Sequence, residues 1–168
     1  MAPKLLTLLM CGALASPTPY DSRIQEEVRT VYAVVVHVDS KIDDLSSSDL
    51  KKYLKLDRRH WPDKSSVALF QRPVGSPLQK FLFEEVYGMT ERQLRRHFVS
   101  LMNKGSINAI PTVVSKKSIV CRLVAKKNGG IGVIVAEDIP DTVKVLKIDG
   151  KEHTDKDYPL VSVTKKED

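Results

Sequence analysis

Arg72, Gly75 and Ser76 lie within one short stretch, between the apolar run Val67-Ala68-Leu69-Phe70 and a helix start at Ser76-Pro77. A strand that feeds a helix through a tight loop is where open α/β sheets hold ligands. The helix start offers unpaired backbone N–H groups and a dipole end of roughly half a positive charge, and both attract an oxyanion. Ser76 adds a hydroxyl donor, and Arg72 adds a planar cation able to grip two oxygens at once. A second reading stays open on the same residues. In it Ser76 only caps the helix, Pro77 takes the first helical position and Arg72 lies in solvent. Neither reading implies bond-breaking chemistry.

Other constellations are poorer. Gly129-Gly130-Ile131-Gly132 lacks a P-loop lysine and precedes a strand-like run instead of opening a helix. His37, His60, His97 and His153 have no metal-ligand spacing, so no metal or cofactor is expected. Serines, histidines and carboxylates occur without a motif that places a nucleophile, and no enzyme is expected. Glu84-Glu85 reads as a solvated helix face. Arg58-Arg59-His60-Trp61 sets cations beside an aromatic ring, but neither it nor Arg95-Arg96 carries an RNA- or DNA-binding signature. Nucleic acid is therefore not an expected partner. Cys121, within an apolar helical pattern, reads as a small core residue.

The elements that must position Arg72 follow from hydrophobic period. Val31 to Val38 is almost continuously apolar and β-branched, as in a strand buried on both faces. Ser46 with Asp49 opens a short helix whose inward face is Leu50, Tyr53 and Leu54. Trp61-Pro62-Asp63 breaks the chain before the strand Val67–Phe70. Leu78, Phe81, Leu82 and Val86 form one stripe of the next helix, which Gly88 stops. Thr90 with Gln93 starts another, carrying Leu94, Phe98, Leu101 and Met102. After a polar loop over 103–111, Ser115 opens a helix with Ile119, Val120, Leu123 and Val124 inward. Strands are expected at 131–135 and 143–148. Strands alternating with helices predict an α/β domain with a largely parallel sheet.

With 168 residues the chain is long enough for one domain with a real core. Its 42% hydrophobic and 29% charged content is that of a soluble globular protein. No run approaches the ~18 apolar residues of a membrane-spanning helix. A formal charge of +6 suits anionic ligands or surfaces, and equally general solubility. Residues 1–15 read as a signal peptide. Lys4 supplies the basic start, 5–14 the apolar run, and Ala13-Leu14-Ala15 the small-x-small cleavage pattern before Ser16-Pro17. Export to the periplasm or medium is expected. Residues 16–29 then form a linker or N-terminal arm, 30–164 the folded unit and 165–168 a charged tail. Removing 1–15 takes away Lys4 and Cys11, which leaves Cys121 as the one cysteine and no internal disulfide.

Taken in order, Leu45-Ser46-x-x-x-Leu50, Trp61-x-Asp63, Arg72-x-x-Gly75-Ser76, Gly130-Ile131-Gly132, Val143 to Gly150 and Tyr158-Pro159-Leu160 carry a resemblance. From near Val31 to about Val163 the chain resembles the second lobe of the phosphate-binding proteins that serve bacterial ABC phosphate transporters. The resemblance implies a single lobe of a type-2 periplasmic-binding fold, with a parallel or mixed sheet flanked by helices. That family's loop reads R-x-D-G-S-G-T and contacts phosphate through Arg, Asp, Ser and Thr. Arg72, Gly75 and Ser76 match it, while Val74 stands in place of the Asp, Pro77 of the Gly and Leu78 of the Thr. Val74 cannot accept the proton of hydrogen phosphate, Pro77 removes a backbone donor and Leu78 removes a hydroxyl. The resemblance thus implies an exported solute-binding-type protein with a weak phosphate or oxyanion site. The alternative it leaves is a non-catalytic interaction module that kept the lobe, lost the ligand and docks on a periplasmic or membrane protein.

Overall fold

In the computed structural model, residues 27–165 are described; the expected signal peptide and most of the N-terminal arm lie outside them. The first strand, β1 (Glu27–His37), starts within the stretch expected to be linker. Tyr32 to Val36 are all at most 2% exposed, because helices cover both faces of the sheet at this strand. Each valine side chain buried this way is worth roughly 1.5–3 kcal/mol. That explains the unbroken apolar run.

After β2 (Asp44–Leu45), helix α1 (Ser47–Leu54) is capped by Ser46, whose side chain accepts from Asp49 N. Strand β3 (Ala68–Gln71) leads into α2 (Pro77–Phe81), which continues without a break as a π-helical stretch, Leu82–Tyr87, closed by Gly88. Helix α3 (Glu91–Asn103) carries the full reciprocal cap between Thr90 and Gln93. Leu94 and Phe98 anchor it in the core, while Met102, expected inward, is exposed. Short β4 (Thr112–Val113) precedes α4 (Lys117–Lys126). That helix was expected to open at Ser115, but it starts two residues later with Lys116 at its cap position and no side-chain capping bond.

Strand β5 (Gly130–Val135) follows, and the single strand expected at 143–148 is split into β6 (Val143–Val145) and β7 (Lys147–Ile148). The split falls at Leu146, whose N–H still bonds to Val34 O in the main sheet, while β7 pairs with β2 in a separate small sheet. The last strand, β8 (Val161–Lys165), was not anticipated as an element, although its alternation of Val161 and Val163 with Ser162 and Thr164 is a strand signal.

The main sheet runs β4-β3-β5-β1-β6, with β8 also on β1. Only the β3–β4 and β3–β5 pairs are parallel; β1 is antiparallel to β5, β6 and β8. The sheet is thus mixed, and not largely parallel. A strand buried on both faces looks the same in sequence whichever way it runs. Tyr32 N bonds to Leu160 O and Val34 O accepts from Leu146, whereas Val31 O accepts from Ala136. Successive residues of a strand point their backbone groups to opposite sides, so β8 and β6 line up on one side of β1 and β5 on the other. Helices α1, α2 and α3 pack on one face with Tyr32, Val34 and Val36. Helix α4 covers the other face through Val120, Cys121 and Val124 against Ala33, Val35 and Ile134. Burial pushes the Cys121 thiol pKa up, in keeping with a core residue.

Trp61 closes the far end of the core. Its ring stacks on Tyr53 at 4.2 Å and its Nε1 donates to Gly129 O at 3.0 Å. Gly129 has φ +84°, and a Cβ there would meet Ser66 O at 2.3 Å, so this position admits only glycine.

Candidate anion site

The loop between β3 and α2 is built from turn chemistry. Ser76 N donates to Pro73 O at 3.2 Å, and Gly75 between them has φ +88°. This is the geometry of a type II turn, whose third residue needs positive φ. A Cβ on Gly75 would touch nothing within 4 Å, so conformation and not space calls for glycine. Ser76 Oγ donates to Pro73 O at 2.8 Å and accepts from Gln79 N at 3.3 Å. Its proton is therefore already committed inside the turn.

The helix start is correspondingly depleted. Pro77 has no N–H, Gln79 N is bound to Ser76 Oγ and Lys80 N to Ser76 O. Only the Leu78 amide of the first turn is left for a ligand. The turn and cap thus use the positive φ of Gly75 and the hydroxyl of Ser76, both expected as anion contacts, and Arg72 is the cation of this loop. Val74, where the resembled family has its Asp, points to solvent at 54% exposed.

Arg72 is half-buried and uses one nitrogen, Nη1, to donate to Val114 O at 3.3 Å. Four N–H donors of the guanidinium remain. Because β3 and β4 run parallel, the β4–α4 loop emerges beside the β3–α2 loop, and Lys117 at the start of α4 borders the same space. Lys117 Nζ bonds to Glu137 O. Sequence reasoning missed Lys117. The available signal was that it opens the second strand-to-helix junction, as Ser76 opens the first.

Both cations border a cleft of ≈ 570 Å³. Its floor is Ile134 and Val135 at the C-terminal end of β5, and one wall is the α2 face with Pro77 and Phe81. The other wall is Tyr32 and Thr30 of β1 with Ser162 and Thr164 of β8. Phe81 rests on Tyr32 with ring centroids 4.8 Å apart. Burial raises the Tyr32 pKa, and a hydrogen bond with Ser162 partly offsets this. Tyr32 is therefore a neutral hydroxyl at physiological pH.

Beneath α2 lies a polar cluster that sequence reasoning also missed. Gln71 Nε2 donates to the Tyr87 hydroxyl at 3.1 Å. Gln79 is 2% exposed and its Oε1 has no protein partner. Burial pushes the Tyr87 pKa up to about 12, against the lowering effect of Gln71 and Gln79. The π-helical stretch places Tyr87 in this cluster, and such stretches often mark functional regions.

Of the histidines, His97 takes part in packing the helices together. His97 Nε2 lies 3.0 Å from Lys55 O and 3.1 Å from Asp57 Oδ1, which pins α3 to the end of α1. Among the described residues no group of three His, Cys, Asp or Glu side chains is placed to hold a metal ion. No described helix is long and apolar enough to cross a membrane.

No protein-family model matches the sequence, nor does any curated protein. Solved structures do match the fold. One is described as a phosphate ABC transporter substrate-binding protein with bound phosphate, from Clostridium perfringens. It has TM-score 0.66 and 19% identity, over 82% of this chain and 56% of that one. Another is an ABC-type phosphate transport receptor from Vibrio cholerae, with TM-score 0.64 and 16% identity, over 87% of this chain and 61% of that one. A third is PstS from Borrelia burgdorferi, with TM-score 0.63 and 12% identity, over 81% of this chain and 57% of that one. The chain is an α/β unit whose fold matches part of these phosphate ABC transporter substrate-binding structures, and it spans a little over half the length of each of the three.

Proposed function

We propose that the chain is a non-catalytic solute-binding lobe that holds phosphate or a similar oxyanion weakly. The observation that carries this is Arg72. It projects from the C-terminal end of β3, keeps four donors free and borders, with Lys117, a cleft in the fold shared with phosphate-binding proteins. The site is open to solvent, so its contacts compete with water and salt. Affinity is expected in the high micromolar range or weaker, below about 6 kcal/mol. With Val74 in place of a carboxylate, phosphate and sulfate are expected to bind alike.

Calorimetric titration of the monomeric chain with both anions at two salt concentrations tests this. Nanomolar, phosphate-selective, salt-insensitive binding contradicts the weak open site, and no binding of either anion refutes the oxyanion reading.

The second reading is an interaction lobe without a ligand. Its support is that Gly75 and Ser76 are explained by turn and cap alone. Either role is expected outside the cytoplasm, after cleavage before Ser16. Intact-mass measurement of envelope protein checks this, and a full-length cytoplasmic product alone would exclude it.

A further inference from the structure

The cleft beside Arg72 is far larger than one inorganic anion. Its ≈ 570 Å³ falls among sites for whole organic molecules, which span roughly 300–1,000 Å³. Two backbone spans frame it. From β3 to β8, by way of β5 and β1, the sheet takes three strand steps, about 14 Å at ~4.8 Å each. Along the helix from Ser76 to Glu85, the rise is about 13 Å at 1.5 Å per residue.

Charge is distributed unevenly along that length. Arg72 follows β3 and Lys117 opens α4 next to it, while Lys80 lies one turn into the helix, and all three line the cleft. Glu84 and Glu85 follow a turn further along the helix, past the Phe81 that rests on Tyr32 of β1, and also line the cleft. Inorganic phosphate would meet only the cations and leave both carboxylates unused. A long arginine at one end and a glutamate at the other, both lining the cleft, take up much of that backbone span, and a small ester suits the remainder.

Resting on the oxyanion reading above, we infer that the cleft takes a phosphate monoester with a cationic tail, of the amino-alcohol phosphate class. The phosphoryl group lies against Arg72 and Lys117, and the ammonium group reaches Glu84 and Glu85.

The test is titration of the full chain with inorganic phosphate, glycerol 3-phosphate and O-phosphorylethanolamine at one ionic strength. O-phosphorylethanolamine is expected to bind at least about fivefold more tightly than inorganic phosphate, the scale of two partly exposed ion pairs. Glycerol 3-phosphate, which has no cation, is expected to fall between them. In the Glu84→Gln/Glu85→Gln double variant the ratio of ester to phosphate affinity is expected to fall toward one. Equal or tighter binding of inorganic phosphate overturns the inference and leaves the oxyanion site standing. A ratio unchanged in the double variant also overturns it. Binding of none of the three compounds overturns both.

Discussion

Ser76→Ala and Arg72→Ala should separate the two roles that the β3–α2 junction combines. Ser76 Oγ makes two bonds, to Pro73 O at 2.8 Å and from Gln79 N at 3.3 Å, and both lie within the turn. Losing an N-cap of this kind costs about 1 kcal/mol, within a range of 0.5–2. For a chain of this size that lowers the Tm by about 2–4 °C. The hydroxyl has no proton to spare for a ligand, so phosphate affinity in Ser76→Ala is expected to stay within about twofold of the parent. Arg72 differs. Its one protein bond, to Val114 O, is long at 3.3 Å and half-exposed. Its loss is expected to lower Tm by less than the Ser76 change. A hydrogen bond from a charged group to an anion is worth about 1.5–3 kcal/mol. In an open cleft the lower bound applies, which is about a twelvefold loss of affinity. Thermal unfolding and phosphate titration of the two variants side by side give both numbers. If Ser76→Ala weakens phosphate binding as much as Arg72→Ala, the hydroxyl turns from Pro73 to the anion and the argument from the turn is wrong.

Three further outcomes follow from the geometry. Gly129→Ala is expected to cost about 3 kcal/mol or more in urea unfolding, since positive φ and a backbone clash at 2.3 Å combine. Gly75→Ala, with similar φ but open space, should cost only about 1–2 kcal/mol; equal losses would discredit the clash. Tyr87 has a pKa pushed up to about 12 by burial. Its contribution to stability is complete below the ordinary tyrosine value near 10 and is lost as pH rises toward 12. Tyr87→Phe should therefore flatten the fall of stability over that alkaline window, and an unchanged slope would place its hydroxyl in solvent. Asp149 accepts from Ser47 N at 2.9 Å and from the Ser47 hydroxyl, and these bonds hold its pKa below the usual carboxylate range. Its contribution is present above about pH 4 and lost as pH falls through the lowered value. Asp149→Asn should remove part of the acid-side slope in a pH series of unfolding curves.

The sequence by itself determined what depends on near neighbours. The caps at Ser46, Ser76 and Thr90-Gln93 are contacts across three residues, so their residue types announce them. The apolar run of β1 announced a strand covered on both faces, and the Val67–Ser76 stretch announced a strand, a turn and a helix with Arg72 at the edge.

Tertiary structure decided whatever needs a partner distant in the chain. The direction of β1 depends on where its neighbours enter the sheet, and both directions bury the same valines. Leu146 breaks a strand only because Val34 claims its N–H while β2 claims the residues after it. Lys117 joins Arg72 because β3 and β4 run side by side. The Ser76 hydroxyl, which suits a cap and an anion equally well as a residue type, here caps α2 through Gln79 N and gives its proton to Pro73 O at 2.8 Å. Local propensity acts over a turn or two of chain, whereas a binding cleft is made by strands and helices that meet across a hundred residues, and only their packing says which side chains share it.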